Sequence, residues 1–427
     1  MKNCPLTIQS WAPERLVSAA RKLRKNDPAI DRMVRSIQAY GFKIPMLVSA
    51  TGEIIDGDLR PKAARKLGFV AVPVIVCDDW TEEQVRSFRL MANRSSNWAE
   101  WDLGAVAEEL FELRTLQWDL SLTGFDMNEI DEMLAPRADE QALESIPALP
   151  AVPVSVPGDV WICGAHRVLC GDATEASAVH RLLGTAMPEL MITDPPYGVN
   201  YDPNWREQAG LGVQRQTGRV HNDDRVDWSD AFALFPGHVA YVWHAGLYAG
   251  AVASSLERCE FAIRSQIIWV KQHFALSRGH YHWQHEPCWY AVRAGRPASW
   301  SGDRKQTTVW EVSNLNPFGG EKSTDTVTGH GTQKPVELMR RPLLNHTARG
   351  GLVYDPFLGS GSTLIAAEDS GRLCYGLELS PTYVDVIVQR WQKLTVRKAV
   401  LEDDGRSFEE IERQRERAET EVVDAAA

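Results

Sequence analysis

A chain of 427 residues is long for a single hydrophobic core, so two or three domains are the prior expectation. The residues are 44% hydrophobic and 24% charged, and no apolar run reaches the roughly 20 residues of a membrane helix. Seven cysteines without a CxxC pair suit a reducing cytoplasm and argue against a zinc cage. We therefore expect a cytoplasmic protein without a membrane segment or a bound metal.

The first part of the chain, residues 1–135, has the pattern of a small α/β unit. Apolar residues recur at helical spacing from Ile30 to Ile37, and Gly41 ends that helix. Short strands are predicted in IPMLVSA, GEIIDG and AVPVIVC, and further helices in RPKAARKLG, TEEQVRSFRLMANR and LGAVAEELFELRTL. Residues 136–157 begin polar and end in spaced prolines, which predicts an extended linker.

Residues 158–400 alternate apolar strand candidates with helical stretches. The candidate strands are ELMIT, VAYVWH, SQIIWV, CWYAV, GLVYD and RLCYGLEL. This alternation predicts an open, mostly parallel sheet covered by helices, with ligands bound beyond the carboxyl ends of the strands. Residues 401–427 are rich in charge and predict a solvated helix that frays into disorder.

Two strand candidates end in carboxylates beside unusual turns. ELMIT runs into Asp194 and two prolines, which stop a paired strand and stiffen the backbone; a plain turn is the alternative. GLVYD ends at Asp355, and its glycine turn permits close approach of a ligand at a helix N-terminus. The turn matches neither GxGxxG nor the phosphate loop, and a role in packing alone is the alternative.

The next strand candidate ends at Glu378. A carboxylate there can accept hydrogen bonds from both hydroxyls of a ribose, although a surface glutamate before a turn is the alternative. The glycine turn would bind a small charged group, and the acid would bind a ribose. Together they predict a ligand that is a nucleoside with a polar tail. S-adenosylmethionine, which has no phosphates, fits that description better than NAD.

Four segments in this part of the chain resemble the amino-methylating DNA methyltransferases. DPPY resembles their catalytic motif, DPFLGSGST their cofactor motif, GTQKPVELMRRPL the segment before that motif, and GDVWICGAHRVLCGDAT the opening segment of many members. The catalytic motif comes before the cofactor motif, an order that resembles the permuted subclass. The resemblance implies a Rossmann-like sheet that binds S-adenosylmethionine.

The resemblance also implies roles for individual residues. Asp172 would contact the adenine ring of the cofactor, Glu378 its ribose, and Lys334 would close the pocket. The methionine end of the cofactor would lie against the glycine turn, formed by Asp355, Pro356, Phe357, Gly359, Ser360, Gly361 and Thr363.

The catalytic motif consists of Asp194, Pro195, Pro196 and Tyr197. An amino group on a base gains positive charge as it attacks a methyl group, and the Asp194 carboxylate and the Pro195 carbonyl can accept its hydrogen bonds. Tyr197 offers a ring on which an extruded base can stack. The initial aspartate resembles adenine-N6 enzymes, and cytosine-N4 transfer, RNA or protein methylation, and an inactive DNA-binding regulator are the alternatives.

The segment from Arg258 to Lys305 carries an excess of positive charge, the usual footprint of a nucleic-acid backbone. Double-stranded DNA is therefore the expected partner, and a homodimer is left open. The predicted DNA contacts are Lys271, Arg278, Arg304 and Lys305.

The front of the chain resembles the ParB-like N-terminal domain through GEIIDGDLRPKAARKLGFVAVPVIV. Asp58 stands where relatives commonly have histidine, which argues against nuclease and CTPase activity. Arg60, Lys62 and Arg65 form a basic helix face that meets either a phosphate or solvent. We expect this domain to assist DNA engagement. The proline-spaced linker implies that residues 158–400 fold without it, and the segment after residue 158 holds every residue assigned to the cofactor.

Overall fold

The computed structural model describes residues 6–21, 23, 27–95, 98–99, 101–134, 138–199, 222–275, 280–302, 306–313 and 333–416. The chain divides into two units, a front unit of Met1–Ala135 and a rear unit of Pro136–Ala427. No helix in these ranges is both long enough and apolar enough to cross a membrane.

The front unit is built on a four-stranded sheet in the order β1-β4-β2-β3. Its strands are β1 (Ile8–Trp11), β2 (Met46–Val48), β3 (Ile54–Asp56) and β4 (Val72–Val76). Its helices are α1 (Ile30–Tyr40), α2 (Leu59–Lys66), α3 (Glu82–Ser95), α4 (Leu103–Thr115) and α5 (Met127–Leu134). The helices α1 to α4 lie where the sequence patterns predicted them, whereas α5 was not predicted. Gly41 ends α1 with φ 74°, a backbone angle that favours glycine.

The basic face of α2 is used within the front unit. Lys62 pairs with Asp27 at 2.7 Å and with Asp58 at 2.9 Å. Arg65 donates to the carbonyls of Pro13 and Leu16, both at 2.6 Å. These two side chains therefore bind neighbouring segments of the same unit, a use that the sequence did not reveal.

The rear unit contains a ten-stranded sheet in the order β11-β9-β10-β8-β7-β12-β13-β6-β5-β14. Its strands are β5 (Val160–Cys163), β6 (His166–Cys170), β7 (Leu190–Thr193), β8 (Val239–Trp243), β9 (Phe261–Ala275), β10 (Trp283–Arg293), β11 (Val309–Glu311), β12 (Leu352–Asp355), β13 (Leu373–Glu378) and β14 (Val400–Leu401). The five central strands, β8 to β6, are parallel, whereas β10 and β5 join the two flanks in antiparallel register. The predicted parallel sheet is thus confirmed for the centre.

Helices cover the sheet of the rear unit. They are α6 (Glu140–Glu144), α7 (Ala176–Leu183), α8 (Ser229–Ala233), α9 (Ala249–Arg258), α10 (Val336–His346), α11 (Ser362–Ser370) and α12 (Pro381–Thr395). Every residue of β7 and β8 is buried, as expected for central strands covered on both faces. The large core side chains include Trp161, Tyr241, Trp243 and Trp391.

The segment predicted as an extended linker packs against the rear unit. Ser155 is 1% exposed, and its backbone N–H donates to the buried Asp385 carboxylate at 2.9 Å. Val154 is buried beside it, and its N–H donates to the same carboxylate at 2.5 Å. The prolines do keep this backbone extended, but the segment is not a free linker. Its backbone N–H groups are satisfied by the side chain of a distant residue, so it packs on the rear unit.

The beginning of the charged tail also belongs to the rear unit. β14 pairs with β5, and a helix over residues 408–416 buries Phe408 and Ile411. The Phe408 ring lies 5.1 Å from that of Trp161. The prediction of a solvated tail is wrong for this stretch, because these two apolar residues at i, i+3 spacing form a buried helix face. Residues 417–427 lie outside the described ranges.

Candidate active site

Four neighbouring parallel strands of the rear unit end at one edge of the sheet, and each is followed by an acidic side chain or ends in one. β6, β7, β12 and β13 bring Asp172, Asp194, Asp355 and Glu378 to this edge. The four surround a cavity of about 280 Å³. All predicted catalytic and cofactor residues except Gly361 line this cavity, and Gly361 belongs to the turn beside it.

The glycine turn between β12 and α11 has two glycines with positive φ. Gly359 and Gly361 have φ 55° and 86°, the left-handed region that favours glycine. A Cβ on Gly361 would lie 3.2 Å from two side-chain carbons of Ile387. Asp355 anchors the turn because it accepts from the Phe357 N–H at 3.1 Å and the Thr363 hydroxyl at 2.6 Å.

Glu378 and Asp172 are held at their strand ends by backbone donors. The two carboxylate oxygens of Glu378 accept from the N–H groups of Gly359 and Ser380, each at 2.8 Å. Asp172 accepts from the N–H and the hydroxyl of Thr174, also at 2.8 Å. A carboxylate oxygen has two lone pairs, so Glu378 keeps acceptor capacity toward the cavity.

Two of these carboxylates titrate near neutral pH. Burial raises the pKa of Asp355 to about 7, against the effect of its hydrogen bonds with Thr363 and Phe357. Burial likewise raises the pKa of Glu378 to about 7. A cationic ligand in the cavity would favour their ionised forms, since an opposite charge at short range offsets the cost of desolvation.

The catalytic motif takes part in an ionic cluster of five side chains, of which one is buried and four are half-buried. Asp194 accepts from the Tyr197 hydroxyl at 2.7 Å and from the Lys334 ammonium at 2.7 Å. The same ammonium lies 2.9 Å from the Glu286 carboxylate, which also pairs with Lys271. Lys334 is 5% exposed. The structure therefore places the predicted pocket-closing lysine directly on the predicted catalytic aspartate.

The charges in this cluster are distributed unevenly. Burial raises the pKa of Asp194, although Lys334 pulls it down. Burial also disfavours the Glu286 carboxylate, but Lys334 and Lys271 outweigh it and lower its pKa to about 2. The two carboxylates in turn raise the pKa of Lys334 above its ordinary value, despite burial. Lys334 is thus a permanently charged group between two acids.

The backbone of the catalytic motif is fixed by Trp228, which the sequence analysis did not single out. The buried Trp228 indole donates to the Pro196 carbonyl at 3.0 Å. Its ring meets that of Phe357, in the glycine turn, edge-on at 4.7 Å. One side chain therefore joins the catalytic motif to the turn after β12.

Glu286 is the other residue that the sequence analysis missed as part of the site. It lies within β10, opposite Trp269 of β9, and it touches three members of the cluster. Glu286 is the one acid of β10, which also contains Gln284, His285 and Arg293, so nothing in the sequence sets it apart.

The structure changes the expectation for Lys271. This side chain is 16% exposed, and it pairs with Glu286 and lies 4.9 Å from the centre of the Trp269 ring. It is thus a member of the ionic cluster, whereas a phosphate contact needs an accessible ammonium. The other predicted DNA contacts, Arg278, Arg304 and Lys305, lie outside the described ranges.

Tyr197 lines the cavity and also takes part in the ionic cluster. Its hydroxyl donates to Asp194, and the Lys334 ammonium lies 5.2 Å from the centre of its ring.

Within the described ranges, no group of three or more histidine, cysteine or acidic side chains is arranged to hold a metal ion.

A mostly parallel sheet with acidic strand ends around a glycine turn is a Rossmann-like arrangement, in which ligands bind beyond the carboxyl ends of the strands. Residues 189–389 match the N6_N4_Mtase family model, described as DNA methylase. Residues 105–157 match the model described as ParB-methyltransferase HTH domain. The rear unit is therefore similar to the DNA methylases over residues 189–389, and the match to the HTH model includes the segment predicted as a linker.

Curated relatives are type II methyltransferases. The chain is 38% identical over 104 residues to M.Cfr9I of Citrobacter freundii, covering 24% of this chain and 31% of the relative. It is 25% identical over 238 residues to M.BglII of Bacillus subtilis, covering 47% and 62%. The chain thus spans less than two thirds of either relative. Among solved structures, an M1.HpyAVI–SAM complex is 22% identical with a TM-score of 0.36, covering 52% of this chain and 98% of that one.

Proposed function

We propose that this protein is a cytoplasmic, site-specific DNA methyltransferase of the permuted subclass. It transfers a methyl group from S-adenosylmethionine to the exocyclic amino group of a flipped base, adenine N6. The observation that carries the proposal is the single cavity in which Asp194 faces the glycine turn and Glu378.

The cavity suits S-adenosylmethionine in shape and charge. Gly359 and Gly361 let the backbone approach a ligand closely at the start of α11, where free N–H groups favour a carboxylate. The buried Asp355 and Glu378 favour a ligand that carries positive charge. Asp172 lines the same cavity and would contact the adenine ring. S-adenosylmethionine supplies an activated methyl group when bound there.

The catalytic motif supplies acceptors for the target amine. Asp194 and the Pro195 carbonyl would accept hydrogen bonds from the amino nitrogen as positive charge develops on it. Trp228 holds the neighbouring Pro196 carbonyl, which keeps this backbone in one orientation. Asp194, whose pKa is raised by burial, is also placed to take the proton that the amine loses.

The test uses the full chain, unmethylated duplex DNA and S-adenosylmethionine with an isotopically labelled methyl group. The DNA is then digested to nucleosides and analysed by mass spectrometry. Labelled N6-methyldeoxyadenosine is the expected product. Labelled N4-methyldeoxycytidine would overturn the choice of base, and transfer only to RNA or protein, or to nothing, would overturn the function. Methylation-sensitive sequencing of the product gives the recognition site.

The front unit and the HTH domain would assist DNA engagement without contributing to the methyl-transfer chemistry. Tethering a second DNA-contacting module raises its effective concentration near the target. All the side chains assigned here to the cofactor and the target base belong to the rear unit. Light scattering on the full chain, alone and with DNA, distinguishes a monomer from a homodimer.

The affinity for S-adenosylmethionine should rise with pH across neutrality. Asp355 and Glu378 have pKa values of about 7, and only their ionised forms are good acceptors and countercharges for the cofactor. Between pH 6 and pH 8 the ionised fraction of each carboxyl rises about 10-fold, so we expect the affinity to rise by roughly 10-fold for each carboxylate and up to about 100-fold for both. Calorimetric titration at several pH values measures this.

The control for this pH dependence is Glu378→Gln, which should flatten part of the rise and leave the part due to Asp355. A cofactor affinity that is constant from pH 6 to pH 8 would contradict the assignment. Without cofactor, the same raised pKa values make the folded state lose stability from about pH 4 to about pH 7. The reason is that the carboxyls of the unfolded chain ionise first.

A further inference from the structure

Lys334 lies just before α10, in residues 333–335, which we call the lysine loop. The helix α10 lacks a capping side chain of its own. α10 begins at Val336, and its N-cap residue is Pro335, which has no polar side chain. The Val336 N–H instead donates to the Glu144 carboxylate at 2.6 Å. The other oxygen of Glu144 accepts from the Gln333 side chain at 3.1 Å. Glu144 therefore caps α10 from another part of the chain.

The contacts of Glu144 with Gln333 and Val336 hold the backbone on both sides of Lys334. Lys334 lies between Gln333 and the start of α10, and its ammonium is on Asp194. On the opposite side, the Ser362 hydroxyl donates to the Lys334 carbonyl at 2.8 Å. The lysine backbone is thus held between Glu144 and the glycine turn, while its side chain reaches into the ionic cluster.

Leu143, the residue before Glu144, is connected to the glycine turn through the Arg390 side chain. The Leu143 carbonyl accepts from Arg390 at 2.8 Å, and the same guanidinium donates to the Ser360 carbonyl at 3.0 Å. Arg390 is 2% exposed. Adjacent residues of α6 therefore contact both the loop that carries the lysine and the turn that lines the cavity.

We propose that Glu144 is a positioning residue for methyl transfer, acting through Lys334 on Asp194. The proposal rests on the proposed function of the same site, and it extends that site to the segment before residue 158. The HTH match, residues 105–157, ends in this segment. The segment that follows the front unit is therefore also a support of the reaction centre.

The expected effect follows from the precision that transfer requires. A displacement of about 1 Å at a reacting group can lower a rate by roughly 100-fold. In Glu144→Ala, the Val336 N–H and the Gln333 amide lose their acceptor, and the lysine loop is free to shift. Asp355 and Glu378 keep all their hydrogen bonds, so cofactor binding should be spared.

The test measures single-turnover methyl transfer by the full chain at saturating DNA and cofactor. We expect Glu144→Ala to lose roughly 10- to 100-fold in rate, with a cofactor dissociation constant within about 3-fold of the unsubstituted chain. Glu144→Gln keeps one acceptor for the Val336 N–H and should recover part of the rate. The matched control is Gln141→Ala, an exposed position in the same helix, which should behave as the unsubstituted chain.

A readout without activity tests the capping contact itself. Hydrogen exchange of a peptide covering Lys334 to Arg340 should be faster in Glu144→Ala than in the unsubstituted chain, because the Val336 N–H loses its acceptor. Unchanged exchange or an unchanged rate in Glu144→Ala would overturn the inference. Equal losses of rate, cofactor affinity and thermal stability would also overturn it, because they would show a general structural role. Absence of transfer by the unsubstituted chain would instead refute the proposed function, and the exchange result would still test the contact.

Discussion

Replacing Asp194 with asparagine is expected to lower single-turnover methyl transfer by roughly 100- to 1,000-fold, the usual consequence of removing one preorganised electrostatic contact. The affinity for S-adenosylmethionine should change little, because Asp355 and Glu378 hold the cofactor side of the cavity. The fold should also tolerate the change. Lys334 keeps Glu286 as a partner at 2.9 Å, so its buried charge is not left unpaired.

The matched variant for this experiment is Asp355→Asn. Asp355 accepts from Thr363 and Phe357 in the turn that would carry the cofactor, so its replacement should weaken cofactor binding first. Titration calorimetry and rapid-quench methyl transfer measure the two quantities separately. If Asp194→Asn weakened cofactor binding as much as Asp355→Asn, the division of roles between the two strand ends would be wrong.

The acidic strand ends were predictable from the sequence for a physical reason. Carboxyl ends of neighbouring parallel strands meet at one edge, so an acid after each apolar run indicates a shared site. Asp194, Asp355 and Glu378 follow this rule, and the cavity joins them. The same reasoning cannot find Glu286, because it lies inside an antiparallel strand, where no rule connects its position to that edge.

The contacts made by residues 138–157 could not be predicted from the sequence, for a different reason. Spaced prolines indicate an extended backbone, but they do not indicate whether that backbone is exposed. The buried partner of Val154 and Ser155 is Asp385, which in the sequence is one of several polar residues of α12. Nothing in the sequence of α12 shows that Asp385 is the buried one, and only a buried carboxylate requires donors from elsewhere.

The second large effect concerns where the chain can be cut. A fragment of residues 136–427 should fold, because it corresponds to the whole rear unit. A fragment of residues 158–427 should be far less stable. It lacks the two N–H groups and the Ser155 hydroxyl that donate to Asp385, which is 0% exposed. A charge that stays buried without its partner costs about 3–5 kcal/mol, and the cost here should lie below that because the cut also lets water reach Asp385. This replaces the expectation, based on the linker prediction, that residues 158–427 fold alone.

Thermal unfolding of both fragments, followed by circular dichroism with and without S-adenosylmethionine, measures the difference. The longer fragment should bind cofactor with the affinity of the full chain, and lose only DNA affinity or target choice. The shorter one should unfold at a much lower temperature or fail to fold. Asp385→Asn in the shorter fragment should restore part of the lost stability, because an amide without partners costs less to bury than a carboxylate. Equal unfolding midpoints for the two fragments would show that residues 136–157 do not support the rear unit. In that case the contacts to Asp385 would contribute little to its stability.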